Sequence, residues 1–391
     1  MVLALPVAHP HLPQHMLLRV GYTVERRILP RLAQLGVRFL WVRCPSLDFL
    51  SEYVSPPVLA CQAELFQEVT EAFSAMQTQA SARISYETYC QTIGHLVGQL
   101  VENPKAAIFL DDLASPEMAS LDLLRHSSTV TYISLLMGLK LEGYLVRQRK
   151  HISPERAREV TNLGVGAMLH DLGITQLPQD ACQRYQSTHD EGDPAWQTHP
   201  SLGYRLVHDH VEPSAATVVL NHHQRFDGQG YAGPAAPALG AERIHVFARI
   251  VAAADYFDHQ RRLSQPRPCP TVRVLAEMLT PANLARFDPV AIIALLSVVP
   301  PYPPGSLVQL SDGHWAVAIE HRAVDPCRPV IQIVPEPASI TGEKLPKGPV
   351  IDLAQASRQL HVAHFEGQDV SAYNFDLPGS LATAVAGLAY A

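Results

Sequence analysis

The chain has 391 residues, of which 47% are hydrophobic and 17% charged, and its formal net charge at pH 7 is −7. A chain of this length and composition can fold as two or three globular domains with a substantial core. The low charge density and the acidic balance argue against a general binder of nucleic-acid polymers, but they leave room for a local pocket that binds a small anion.

Cysteine usage and apolar runs indicate a cytoplasmic protein. The 6 cysteines are scattered and form no C-x-x-C pair, so we expect neither a disulfide framework nor a thiolate metal site. No apolar run reaches the roughly 18 residues of a membrane span, and the first residues lack the basic and apolar regions of an export signal.

Three regions follow one another along the chain. Residues 1–100 combine a β-like run over 37–44 with helical periodicity, which predicts a small α/β module for input or docking. The periodic positions of its helix are Leu65, Val69, Ala72 and Met76. Residues 101–300 have a mainly helical pattern, and residues 301–391 open on prolines and continue as β-like runs, with a predicted hairpin around Ser311–Gly313. The fold class we predict is mainly α, with a β-rich C-terminal extension.

The first candidate site residues are a histidine and an aspartate one helical turn apart. A core-facing stripe is predicted at Val130, Ile133, Leu136 and Met137. His126 continues this stripe four residues earlier, so we expect it to point inward. Asp122 lies on the same helical face and can share a site with His126. Its alternative role is that of a first-turn acid that interacts favourably with the helix dipole.

Two adjacent pairs of polar residues each follow an apolar helix. They are His170–Asp171 in "GAMLHDLGIT" and His222–His223 in "VVLNHHQRFDGQG". Neighbours within a regular helix point about 100° apart, so the members of a pair converge only where the helix ends. Gly173 and Gly228 are the predicted stops. His199 follows a turn, and Asp255 faces inward beside an apolar helical stripe.

Several inward-facing acids and imidazoles need a counter-charge, because burying an unpaired charge costs several kcal/mol. Divalent metal ions supply that charge, and a carboxylate such as Asp171 can bridge two of them. A pair of ions activates water and stabilises both oxygens of a phosphoryl displacement. The residues themselves therefore predict phosphoester hydrolysis.

The order H…HD…H-P-x-x-G…HH-x-x-x-D-G-x-G-Y…D resembles the HD-GYP family, the cyclic di-GMP phosphodiesterases of the HD superfamily. The matching stretches are "RHSSTV", "LHDLG", "HPSLGYRLV", "NHHQRFDGQGYAGP" and "ARIVAAADYFD". The resemblance implies an HD-type helical bundle that binds two divalent ions, with iron or manganese favoured. The ligands that it implies are His126, His170, Asp171, His199, His222, His223 and Asp255. A third ion is implied if Asp122 takes the place of the glutamate that some family members have there.

The sequence departs from the family at two positions. Ile174 replaces the lysine of H-D-x-G-K, which is thought to neutralise substrate phosphate or to assist the leaving group. Losing one charged contact in a water-poor site costs roughly 2.7 to 4 kcal/mol of transition-state stabilisation, about a hundred- to a thousandfold in rate. Ala232 replaces the proline of GYP, and we expect this change to affect loop order more than chemistry.

The resemblance also provides candidates for contacts to substrate. His170 and Asp171 would serve catalysis as well as metal binding, and Arg225, Tyr231 and Arg267 are candidates for substrate binding. The alternatives are that Arg225 is a solvated cation at a helix end and that Tyr231 packs the loop.

The function implied is hydrolysis of cyclic di-GMP to pGpG, GMP or both, with activity weakened by Ile174. One alternative is an adaptor with little turnover that binds cyclic di-GMP and contacts a GGDEF-type partner. A second is an HD-superfamily enzyme with another substrate, including redox use of a di-iron centre. Such sensory proteins often form homodimers.

Overall fold

A computed structural model describes residues 2–3, 6–9, 12–35, 37, 40, 42–43, 47–78, 84–109, 122–233, 236–263, 268–336, 348–379, 381 and 383. Half of the predicted β-like run over 37–44 lies outside these residues, and so does Arg267.

The N-terminal part begins with two antiparallel strands, β1 (Val7–His9) and β2 (Leu12–Leu18), and a short helix, α1 (Leu29–Gln34). Leu3, Val7 and Val24 form a small apolar cluster here. Two long helices follow, α2 (Pro56–Thr78) and α3 (Tyr86–Glu102). The periodic positions predicted on α2 are all buried, which confirms the helix and its inner face.

The central part is helical, as predicted. Its helices are α4 (Asp122–Lys140), α5 (Glu142–Gln148), α6 (Pro154–Ala157), α7 (Thr161–Leu169), α8 (Gln179–Thr188), α9 (His199–Val207), α10 (Pro213–Asn221), α11 (Val246–Arg262), α12 (Thr271–Met278), α13 (Pro281–Leu284) and α14 (Pro289–Val298). Helix α7 packs against α4 and α10, and α11 packs against α4. These four helices carry or immediately precede most of the candidate ligands.

The C-terminal part is a six-stranded antiparallel sheet with the order β6-β5-β4-β3-β7-β8. Its strands are β3 (Leu307–Leu310), β4 (Trp315–Glu320), β5 (Val330–Val334), β6 (Val350–Asp352), β7 (Val362–Phe365) and β8 (Gln368–Asp369). The predicted hairpin is confirmed, since β3 pairs with β4 and Gly313 between them has a φ of +88°. A positive φ at this turn favours glycine.

The main hydrophobic core runs from Val58 to Val299 and includes residues of α2 and α3. A second core lies under the C-terminal sheet. The division into domains at residues 100 and 300 stays a prediction. Among the described residues, no helix combines the length and the apolarity that crossing a bilayer requires.

Candidate metal centre

The pair His170–Asp171 lies where α7 ends. The helix stops at Leu169, and a 3-10 helix over Leu172–Gln176 follows. Gly173 does not act as the predicted helix stop with a left-handed backbone. Gly173 instead allows the backbone of α9 to pack closely against it. A Cβ at this position would lie 2.0 Å from the backbone oxygen of His199 and 2.5 Å from the backbone nitrogen of Gly203. This contact brings the start of α9 against the pair.

The pair His222–His223 directly follows α10. The loop then folds back onto the pair, since the backbone N–H of Tyr231 donates to the carbonyl of His223 at 3.1 Å. Gly228 has a φ of +77°, and a Cβ on Gly230 would lie 2.4 Å from that carbonyl. The glycines of this motif therefore permit the fold-back.

The first group of convergent donors comprises His126, His170 and Asp171, whose ligand atoms lie within 4.8 Å of one another. Asp171 Oδ2 is 3.6 Å from His126 Nε2 and 3.4 Å from His170 Nε2. Asp255 joins this group, because its Oδ1 is 3.0 Å from His126 Nε2 and 3.9 Å from His170 Nε2. All four residues are buried.

The second group comprises Asp171, His199, His222 and His223. Here Asp171 uses its other oxygen, Oδ1, which lies 3.5 Å from His199 Nε2 and 3.6 Å from His222 Nε2. His223 Nε2 is 3.1 Å from His199 Nε2. Each oxygen of Asp171 thus faces one group, so that the carboxylate could serve a cation in each of them.

Backbone carbonyls fix the ring orientation of three of these histidines. The Nδ1 atoms of His170, His199 and His222 lie 2.7, 2.8 and 2.9 Å from the carbonyls of Ala167, Trp196 and Val219 respectively. A carbonyl can only accept, so each Nδ1 carries the proton and each Nε2 presents its lone pair to the centre. Such contacts behind the ligands are typical of metal-bound histidines.

Electrostatics favour ionised acids, and they lower the pKa of some imidazoles while raising that of His126. Burial lowers the pKa of His199 to about 4 and holds the pKa of His223 well below its usual value. Burial raises the pKa of Asp171, but the surrounding histidines outweigh it and hold the pKa well below normal. Burial also lowers the pKa of His126, but hydrogen bonds to Asp255 and Asp258 prevail and raise it to about 10. The acids therefore favour a positive charge beside His126, whether a proton or a metal ion carries it.

The centre opens into a cavity of about 630 Å³. The predicted residues Asp122, Arg225 and Tyr231 line it, as does Ile174. Asp122 is exposed and lies outside the two groups of convergent donors. Arg225 is ion-paired with Asp227. Tyr231 stacks on His223 with ring centroids 4.7 Å apart.

Sequence reasoning missed three polar residues of this site. Asp258 Oδ2 lies 2.7 Å from His126 Nδ1, and its position three residues after Asp255 on α11 was the available signal. Glu191 and Arg286 line the cavity, with Arg286 Nη2 3.9 Å from a Glu191 carboxylate oxygen. We find no local pattern in the sequence that would have identified these two.

The donor set suits divalent metal ions. Five imidazoles and two ionised carboxylates are the ligands that iron, manganese and zinc accept. The Nε2 lone pairs and the shared carboxylate of Asp171 already converge, so these residues can bind metal.

Comparison with known proteins finds similarity to an HD-domain family and to cyclic di-GMP phosphodiesterases. An HD-domain family model matches residues 145–290. A cyclic di-GMP phosphodiesterase of Pseudomonas aeruginosa is 27% identical over 295 residues, covering 71% of this chain and 66% of the relative. The cyclic di-GMP phosphodiesterase response regulator RpfG of Xanthomonas campestris is 30% identical over 155 residues, covering 39% of each chain.

The chain thus spans just under two thirds of the first relative and about two fifths of the second. A solved HDG"Y"P protein from Bdellovibrio bacteriovorus aligns with a TM-score of 0.44 and 18% identity, covering 75% of this chain and 94% of that protein. Residues 145–290 are thus similar to HD domains, and the ordered motifs are similar to those of the HD-GYP type.

Proposed function

We propose that the protein is a metal-dependent phosphodiesterase that hydrolyses cyclic di-GMP to pGpG, GMP or both. The observation that carries this proposal is the position of Asp171, whose two oxygens face two separate groups of histidine Nε2 atoms. The names of the relatives support the choice of substrate.

The proposed ligands are His126, His170, Asp171, His199, His222, His223 and Asp255. They would hold two divalent ions, iron or manganese, and Asp122, which lines the cavity, would assist a third. When bound, the ions activate water and neutralise charge that develops on the phosphoryl oxygens.

Three arginines line the cavity through which a phosphodiester would reach the centre, namely Arg225, Arg262 and Arg286. Arg225 is ion-paired with Asp227, and Arg262 Nε lies 2.5 Å from Asp258. Arg286 is the least neutralised of the three, with its nearest acidic oxygen, on Glu191, at 3.9 Å. Its Nε is buried without a hydrogen-bond partner among the described residues, and its guanidinium lies 4.7 Å from the ring centroid of Tyr256. We assign Arg286 to phosphate binding, in partial compensation for Ile174.

Tyr231 has a role beyond packing in this proposal. Its hydroxyl is buried without a partner in the described part of the chain, although its ring stacks on His223. Burial holds its pKa well above the usual range, so the group stays protonated. A protonated hydroxyl beside the second donor group can donate a hydrogen bond to a substrate oxygen.

The experiment is a turnover assay on protein loaded anaerobically with Fe²⁺ or Mn²⁺, with products separated from cyclic di-GMP and from a panel of other nucleotides. We expect pGpG or GMP from the native chain and none from Asp171→Asn, with metal content measured in both. A fully loaded native chain that leaves cyclic di-GMP intact would exclude the enzyme proposal.

One observation favours an adaptor as the second candidate. Ile174 lies in the cavity wall, where it offers no charge to a phosphate. In that case the loaded protein would bind cyclic di-GMP with little turnover and pass the signal to a GGDEF-type partner or within a homodimer in the cytoplasm. Equilibrium binding measured beside turnover separates the two candidates.

A further inference from the structure

A second cluster of metal-binding side chains lies on the helical hairpin of α2 and α3, and the proposed function does not use it. It comprises Cys61 and Glu64, three residues apart on α2, and His95 on α3. Their ligand atoms lie within 4.8 Å of one another. Cys61 is buried, whereas the side chains of His95 and Glu64 are 57% and 53% exposed.

Two of the three donor separations match those of a tetrahedral zinc site. Zn–S, Zn–N and Zn–O bonds of about 2.3, 2.0 and 2.0 Å at the tetrahedral angle place sulfur and nitrogen about 3.5 Å apart, and nitrogen and oxygen about 3.3 Å apart. The observed distances are 3.6 Å from Cys61 Sγ to His95 Nδ1 and 3.3 Å from His95 Nδ1 to Glu64 Oε2.

Hydrogen bonding alone satisfies this cluster poorly. A single ring nitrogen, His95 Nδ1, faces both the thiol and the carboxylate. If Nδ1 is protonated, its single N–H must be shared between the Cys61 sulfur and the Glu64 carboxylate, both at long distances. If Nδ1 is not protonated, no proton lies between this nitrogen and the carboxylate oxygen that it faces. One Zn²⁺ would engage all three donors, and its charge would be balanced by one thiolate and one carboxylate.

We propose that Cys61, Glu64 and His95 form a zinc site that clips α2 to α3, with water as the fourth ligand on the exposed side. The site is separate from the HD centre, that is, from the two donor groups around Asp171, and does not depend on the proposed function. Zinc binding would deprotonate the Cys61 thiol, so affinity should increase with pH.

Cobalt substitution in the full-length chain tests this directly. Co²⁺ bound to a thiolate has a sulfur-to-metal charge-transfer band in the near ultraviolet, and the proposed ligands of the HD centre include no thiolate. We expect the band in the native chain and in Cys90→Ser, a matched thiol on α3, and its loss in Cys61→Ser. Retention of the band in Cys182→Ser is also required, because Cys182 lines the main cavity.

A stability measurement covers the case in which a cysteine variant folds poorly. In an Asp171→Asn background, Zn²⁺ should raise the melting temperature, and His95→Ala, at an exposed position, should weaken this zinc binding by at least about tenfold. The proposal is overturned if the native chain shows no charge-transfer band, if Cys61→Ser retains it, if Cys182→Ser removes it, or if His95→Ala binds zinc as tightly as its parent.

Discussion

Ile174 lies at the cavity wall, at the position where the HD-GYP pattern that this sequence resembles has a lysine. Ile174→Lys restores a cation three residues after Asp171, and we expect turnover of cyclic di-GMP to rise by up to about a hundredfold. Ile174→Met, of similar length but uncharged, should leave the rate near that of the native chain. An unchanged rate in the lysine variant would mean either that Arg286 already supplies the charge or that another defect limits catalysis. Steady-state kinetics of Arg286→Gln would then distinguish these two explanations.

Asp258 is a positioning residue that acts through His126. Its carboxylate accepts a hydrogen bond from His126 Nδ1 at 2.7 Å. Burial raises the pKa of Asp258, but the contacts with Arg262 and His126 outweigh burial and lower it to about 2. Asp258→Asn keeps the shape but removes the charge, so His126 becomes a weaker ligand. We expect metal affinity to fall by about 10- to 100-fold, measured by titration with Mn²⁺.

A purely structural role for Asp258 would affect folding and not the metal. Asp258→Glu keeps the charge and should recover part of the lost affinity. Equal losses of metal affinity in Asn and Glu variants would contradict the electrostatic role.

At the scale of elements, Gly173 sets the distance between the end of α7 and the start of α9. A Cβ there meets the His199 carbonyl at 2.0 Å, so Gly173→Ala must separate the two segments that carry Asp171 and His199. We expect destabilisation of about 1 to 3 kcal/mol or more, together with weaker metal binding. Urea unfolding and metal titration measure the two effects.

The matched control for that substitution is Gly98→Ala on α3, where a Cβ meets nothing within 4 Å. Alanine is the better helix former by about 0.5 to 1 kcal/mol, so this control should be neutral or stabilising. A Gly173→Ala chain as stable as the control would show that the close approach is unimportant.

Helix α11, which carries Asp255 and Asp258, begins at an N-cap that titrates. His245 Nδ1 accepts from the backbone N–H of Phe247 at 3.2 Å. Burial, followed by the nearby Arg149 and Arg249, lowers its pKa to about 4, against about 6.5 in an unfolded chain. Above about pH 6.5 the group is neutral in both states, and as the pH falls towards about 4 only the unfolded state takes up the proton.

The contribution that neutral His245 makes to the free energy of unfolding is therefore fully present above about pH 6.5, and it is lost as the pH falls towards about 4. His245→Asn keeps a side-chain oxygen that can cap the helix but removes the titration. We expect the free energy of unfolding of this variant to fall less between those pH values than that of the native chain. Parallel pH profiles for the two chains would refute the assignment.

How much of this arrangement the sequence predicts depends on whether a signal is local. His126 could be predicted because it continues an apolar stripe of its own helix, and the two adjacent pairs could be predicted because helices end beside them. The Glu191–Arg286 contact and the approach of His95 to Cys61 join residues 95 and 34 positions apart in the chain. Periodicity within one element contains no information on such contacts, and the tight packing behind Gly173 is equally a property of two elements.

At the scale of the whole molecule, the C-terminal sheet and the helical part share side chains. Val272 on α12 belongs to the core under the sheet, whereas Val274 and Leu275 belong to the main core, and Phe375 packs against both. Buried Arg261 on α11 reaches Thr271 and lies 3.9 Å from Glu366 beyond β7. The sheet therefore supports the helix that presents Asp255.

This sharing predicts that the helical part and the sheet unfold together, despite the predicted domain boundary at residue 300. Trp196 reports on the metal centre, since its ring centroid lies 5.1 Å from that of His199, and Trp315 on β4 reports on the sheet. The third tryptophan of the chain is Trp41. Once it is replaced in a Trp41→Phe background, Trp196→Phe and Trp315→Phe each leave a single tryptophan as reporter. A circular-dichroism transition of each variant gives the change in midpoint that the substitution itself causes, and the fluorescence midpoint is corrected for it. We expect the two corrected urea midpoints to coincide. We also expect Mn²⁺ to raise both midpoints equally. Separate midpoints, with only the Trp196 signal responding to Mn²⁺, would instead establish residues 301–391 as an independently folding domain.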